Sequence, residues 1–215
     1  QPNFAYFVYD GVPAWTGDGV TYSSNVMRSL PVYHLITRNS DVENCFWNSS
    51  WNDGKYHFAG TMVYDGVVYD HVYYHIRGQA STYRWGKNKC RFNFNRGHKF
   101  QARDDYGSKY KNKWDNLVLG SATCPWWQWP HPGTWDQGAG GMVLNEPLGY
   151  RLYNMAGVPS PNTNYFHFRI IDNASEAGSD QYSGDFWGMF FAVENPDGRF
   201  LEEHDLADGN VYKME

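Results

Sequence analysis

The chain lacks an apolar run long enough to cross a bilayer, which takes about 20 consecutive residues, so no membrane-spanning helix is expected. Cysteine is scarce. Cys45, Cys90 and Cys124 are the only three, and their spacing matches no zinc site. They leave open one disulfide or three buried thiols. Charge is sparse too: charged residues are 19% and the net charge is −5. With aromatics also at 19%, the composition excludes an intrinsically disordered chain. The acidic balance argues against nucleic acid as a partner. No P-loop, G-x-G-x-x-G, H-E-x-x-H or G-x-S-x-G is present, which removes the common signatures of nucleotide, zinc-peptidase and serine-hydrolase chemistry. No signal peptide is visible, and the chain opens on Gln1 without Met, as a processed form would.

What is abundant points to β-structure. There are 22 glycines and 10 prolines among the aromatics, a mixture suited to strands joined by many turns. The 215 residues can bury a substantial core. Residues 1–30 read as an extension packed on the domain, and 31–215 as the domain itself. Pro31–Ile36 reads as a short strand, and 41–54 as polar and turn-rich. Phe58–Tyr64 and Val67–Arg77 flank Asp65-Gly66, a strong hairpin signal. Strict alternation along the second strand puts Val68, Val72, Tyr74 and Ile76 on one face. Tyr69, His71, Tyr73, His75 and Arg77 fall on the other. His71 and His75, with His98 nearby, fit hydrogen-bonded or surface histidines better than a metal site.

One helix stands out, over about 146–156. Asn145 is placed to cap it, Pro147 falls in its first turn, and Leu148, Leu152 and Met155 form an apolar stripe. Gly157 and Pro159 end it. Strands follow at 165–171 and 186–194, with a helical turn near 200–204.

The basic residues are concentrated. From Arg77 to Lys113 there are eleven Lys/Arg and only two acids, Asp104 and Asp105. A local +9 inside an acidic chain points to an anionic ligand. In 87–94, Cys90, Phe92 and Phe94 point one way and Lys87, Lys89 and Arg91 the other. Like charges on one face repel unless an anion offsets them. Separately, Trp126, Trp127, Trp129 and Trp135 sit in a stretch broken by three prolines. They read either as packed on the domain or as a surface for sugar rings or a protein partner.

The segments VYDHVYYHIRG, GKNKCRFNFNRGHKF, LGYRLYNMAGVPSPNTNYFHFRIID and QYSGDFWGMFFAVENPDGRFLEEHDLADGNVYKME resemble the CotH kinase family, from about Leu30 to the last residue. That resemblance implies an α+β fold: the β-rich N-terminal lobe of an atypical protein-kinase-like fold, mostly antiparallel, with one main helix. It implies ATP and Mg as cofactors and phosphoryl transfer to Ser/Thr in a complete protein. It also implies an extracellular or cell-surface setting. Lys87 matches the phosphate-gripping lysine, and Arg77 and Arg91 the other basic positions. Glu146 is the implied partner of Lys87, against the alternative of a first-turn acid on the helix dipole. Glu194 falls where the family passes between lobes near the adenine, against the alternative of a surface strand end. The family's catalytic aspartates lie downstream of the YKM motif, so the catalytic lobe is expected to be missing. A second reading competes with this one: a non-catalytic extracellular module that is structural, filament-forming or glycan-binding. Its partners would be protein or further copies of itself.

Overall fold

In the computed structural model of the protein, residues 30–46, 57–77, 88–120, 144–172 and 186–212 are described. Seven strands close into a barrel: β1 (Val32–Ile36), β2 (Phe58–Tyr64), β3 (Val67–Ile76), β4 (Cys90–Asn93), β5 (Asn116–Gly120), β6 (Thr163–Ile171) and β7 (Phe186–Glu194). The order around it is β1-β2-β3-β4-β5-β7-β6. Every neighbouring pair is antiparallel except β1 and β6, where Val32 faces His167 and Ile36 faces Ile171. Parity requires this, because an odd number of strands cannot alternate direction all the way round a closed ring.

The expectation of an open, β-rich kinase-like lobe with one helix is therefore corrected. Among the described residues the sheet has no free edge, and three helices accompany it: α1 (Asn39–Phe46), α2 (Asn145–Met155) and α3 (Gly198–Glu203). Turn chemistry and alternation mark each strand, but the ladder that closes the sheet joins residues far apart in the chain.

The β2–β3 hairpin forms as its Asp-Gly signal predicts. Asp65 and Gly66 take φ of 51° and 73°, the left-handed pair that a two-residue turn requires. Strict alternation along β3 fails, however. Gly60 faces Val72 while Met62 faces Tyr69, so β3 spends three residues where β2 spends two. His71, at φ 51°, is part of this bulge. The extra residue swings Tyr69 into the core and leaves Val68 54% exposed, the reverse of the simple pattern. On β4 the alternation holds: Cys90, Phe92 and the following Phe94 are buried.

The interior is filled by rings. Tyr33 stacks on Phe166 at 4.0 Å and meets Tyr64 at 4.4 Å and Phe100 at 5.3 Å. Phe92, Phe168 and Phe190 continue the column. α1 closes the end at which β1 finishes. Val42, Cys45 and Phe46 are buried there, and Phe46 packs against Tyr74 and Trp187. Their i, i+3, i+4 spacing is the helical signal inside a stretch read as turn-rich. Cys45 and Cys90 are free and buried, and burial pushes the Cys90 thiol well up; Cys124 lies outside the described residues. At the other end, Phe100 and Trp114 pair across an antiparallel ribbon, and α3 contributes Phe200 and Leu201.

β5 from Leu117 to Gly120 and β7 from Phe190 to Glu194 are buried on both faces. Val118, Phe191 and Val193 form an outer cluster covered by Tyr150 and Tyr165. Gly120 is where this layer is tightest. It pairs with Phe191, and a Cβ there would lie 2.1 Å from the Phe191 ring. Gly120→Ala is expected to cost about 1–3 kcal/mol by overpacking, read as a lower urea midpoint with an unchanged m-value. A neutral result would mean that the ring does not lie on the glycine.

Candidate functional site

α2 spans Asn145–Met155, close to the helix read from sequence, but its environment differs. Leu144 takes the N-cap position with no side-chain cap, so Asn145 does not cap it. Leu148, Leu152 and Met155 do not face a core: they are 50%, 54% and 75% exposed. The helix rests on the barrel through buried Pro147 and through Tyr150.

Between α2 and the barrel runs a cleft of about 550 Å³, with Leu144, Pro147, Leu148, Arg151 and Met155 on the helix wall. The opposite wall is the tip of the 100–114 ribbon, with Asp104, Asp105, Tyr106 and Tyr110. Pro161, Asn162, Thr163 and Tyr165 line the remainder. The volume lies in the range of ligand clefts, and the lining is mostly apolar with a few convergent polar groups.

Most of those polar groups are engaged by the fold. Asp104 Oδ1 accepts from the N–H groups of Tyr106 (2.9 Å) and Ser108 (2.7 Å), which fixes the ribbon tip. Asp105 Oδ1 accepts from Tyr165 N–H at 2.9 Å. Burial raises the Asp105 carboxyl above the usual carboxylate range, and that hydrogen bond works against the rise. The Tyr110 hydroxyl donates to the Thr163 carbonyl at 3.1 Å, with burial holding it neutral. Arg151 donates to the Tyr106 hydroxyl at 3.1 Å, while Tyr106 stays 78% exposed. Asn154 clasps Ser160 through both its amide groups, at 2.8 and 2.9 Å, which folds the chain back after α2. What is left facing solvent is chiefly the aliphatic wall.

The residues singled out in the sequence lie mostly elsewhere. Lys87, Trp126, Trp127, Trp129 and Trp135 fall outside the described residues. Arg77 is exposed at the end of β3, where its N–H donates to the Lys89 carbonyl at 3.0 Å. Arg91 faces outward from β4, half-buried, between His75 and Val118. Burial, then the Arg77 charge, lowers its guanidinium pKa. Glu146 is exposed in the first turn of α2 and accepts from the Tyr150 hydroxyl at 3.3 Å. Glu146 and Arg77 both act on the Tyr150 phenol, and Arg77 is also near enough to Arg91 to act on its guanidinium. Glu194 is 2% exposed, at the barrel end, and is not a surface strand end. It accepts from Asn162 N–H at 3.0 Å and contacts His204 Nε2 at 3.1 Å. Among the described residues no group of three or more His, Cys, Asp or Glu is arranged to hold a metal ion. No described helix is long and apolar enough to cross a membrane.

Residues 136–215 match the family model described as CotH kinase protein. The match takes in α2, β6, β7 and α3 and is less than half of the chain. The resemblance that ran from Leu30 onward is thereby confined to the C-terminal part, and both Lys87 and the strand β4 with Arg91 lie outside it. No curated protein matches the chain. The closed barrel also overturns the reading as a nucleotide-binding lobe of a bilobal kinase, and with it the transferase description. The barrel interior is filled by Tyr33, Phe92, Phe166 and Phe190. Nothing in the sequence warns of the cleft, because an apolar helical stripe reads as core-facing and Asp104–Tyr106 fall within a basic, polar stretch.

Proposed function

We propose that this chain is a non-catalytic structural module that assembles with copies of itself through the α2 face, in an extracellular or cell-surface setting. The observation that carries this reading is the exposed apolar wall. Leu144, Leu148, Leu152 and Met155 are all half exposed or more, at the three- and four-residue spacing that puts them on one side of α2. Isolated apolar side chains are ordinary at a surface, but a contiguous set on one short helix marks an interaction face. A second copy suits it because the rim carries both signs, Asp104 and Asp105 opposite Arg151. A two-fold contact can set the acids of one copy against the arginine of the other. The setting follows the secreted members of the family that residues 136–215 resemble.

Sedimentation velocity over a concentration series tests this. The protein is expected to associate, and the double variant Leu148→Glu, Met155→Glu to remain monomeric with an unchanged melting temperature, since neither side chain is buried. Lys87→Ala is expected to associate like the parent. A parent that stays monomeric throughout, or a double variant that still associates, rejects the reading.

A further inference from the structure

The cationic stretch of the sequence builds a second concavity, separate from the α2 cleft. The ribbon that pairs Phe100 with Trp114 turns these two and Ala102 inward. Period-2 alternation then turns Lys99, Arg103 and Lys113 outward, and Arg103 bridges across to Lys109. Together with the β2–β3 turn they line a pocket of about 180 Å³, floored by Tyr64 and Tyr69.

Four cations line it against one carboxylate, Asp65. Lys99 is offset by Asp115 at 2.7 Å, and Arg103 by Asp65. Among the described residues, Lys109 and Lys113 have no carboxylate within ion-pair distance. Like charges set side by side on neighbouring strands destabilise each other, so the pocket holds uncompensated positive charge that a bound anion would neutralise. Its floor supplies donors as well. The Tyr69 hydroxyl accepts from Gln101 N–H at 3.2 Å, leaving its own proton to donate. Burial pushes the Tyr64 phenol up to about 12 and raises that of Tyr69, so both stay neutral donors in the physiological range. The volume is below the roughly 300 Å³ at which whole-ligand pockets begin; it suits a single charged group.

We propose that this pocket binds a tetrahedral oxyanion, the sulfate or phosphate ester of a larger ligand, with Lys109 and Lys113 supplying the free charge and Arg103 and Lys99 completing the ring. Lysine ammonium groups and a guanidinium converging from different directions match the oxygens of such a group. The proposal is independent of assembly through α2.

Titration with inorganic sulfate and inorganic phosphate at constant ionic strength, followed by amide chemical shifts, tests it. Saturable shifts are expected at Tyr69, Gln101 and Lys109. Lys109→Ala combined with Lys113→Ala, both exposed and so compatible with folding, should weaken binding by about tenfold or more. Lys89→Ala, which removes a charge at the far end of β3, should leave binding unchanged. Glucosamine 6-sulfate and glucose 6-phosphate then separate the two sources of the group; either one binding more tightly than its unsubstituted sugar supports the site. Non-saturating shifts, equal losses in the Lys89 and Lys109/Lys113 variants, or equal binding of the unsubstituted sugars overturn it.

Discussion

Tyr33→Ala is expected to cost about 3–5 kcal/mol of folding free energy, the range for emptying a large buried aromatic site. Tyr33 is fully buried and contacts the rings of Phe166, Tyr64 and Phe100, which belong to β6, to β2 and to the capping ribbon. Its loss leaves a void at the seam where β1 meets β6, the pairing that closes the barrel. Tyr33→Phe separates the ring from its hydroxyl. The Asn164 amide donates to that hydroxyl at 3.1 Å, and Asn164 is itself buried. Removing the acceptor strands a buried donor, which costs about 1–3 kcal/mol. Urea unfolding of the three proteins at one pH measures both effects. A Tyr33→Ala variant within 1 kcal/mol of the parent would show that these rings do not hold the barrel closed. A Tyr33→Phe variant as damaged as Tyr33→Ala would assign the whole effect to the hydrogen bond.

The elements that carry their own local signal were legible in the sequence. Asp65-Gly66 specifies its turn through the backbone conformation it alone takes comfortably, and β2, β3 and the helix after Asn145 follow within one or two residues. The pairing of Val32–Ile36 with His167–Ile171 was not legible, because closure is a property of two distant edges and leaves no mark on either. The β3 bulge was equally silent: a single extra residue at Asp70–His71 inverts which of Val68 and Tyr69 faces inward, and the sequence offers a plausible side chain for either face. For the site the failure was different in kind. Leu148, Leu152 and Met155 form a sound amphipathic stripe, and amphipathicity predicts that something covers it. Here it is not this barrel, whose own outer patch of Val118, Phe191 and Val193 is covered by Tyr150, from another side of the helix, and by Tyr165 of β6. The basic strip, by contrast, was legible in composition, but only the ribbon geometry shows which lysines share a pocket and which are neutralised by Asp65 and Asp115.

Glu194 gives the barrel a stability that should fall with rising pH across the neutral range. Its Oε2 accepts from Asn162 N–H and meets His204 Nε2, while Oε1 is buried with no partner among the described residues. An ionised carboxylate is costly in that position. Burial accordingly raises its pKa from 4.5 to about 8, against the lowering effect of the Asn162 hydrogen bond. Burial also lowers the His204 pKa from 6.5. A carboxyl raised in the folded state contributes its full stability below 4.5 and loses it as the pH climbs to about 8. A histidine lowered in the folded state contributes fully above 6.5 and loses that contribution as the pH falls. Just below 6.5 the unfolded chain gains a proton on His204 while the folded chain still holds its extra one on Glu194, so the two slopes oppose each other. From 6.5 to about 8 only Glu194 acts. The folded state then binds one more proton than the unfolded, and stability should fall by about 1.4 kcal/mol per pH unit, roughly 2 kcal/mol in all. Glu194→Gln keeps an acceptor for Asn162 and removes the titration. It should be flat from 6.5 to 8, exceed the parent at pH 8, and lose stability below 6.5, where His204 acts alone. Urea midpoints of the two proteins at half-unit steps from pH 5.5 to 8.5 decide the matter: a parent whose stability is level or rising between 6.5 and 8, or a variant with the parent's slope, would place the proton elsewhere.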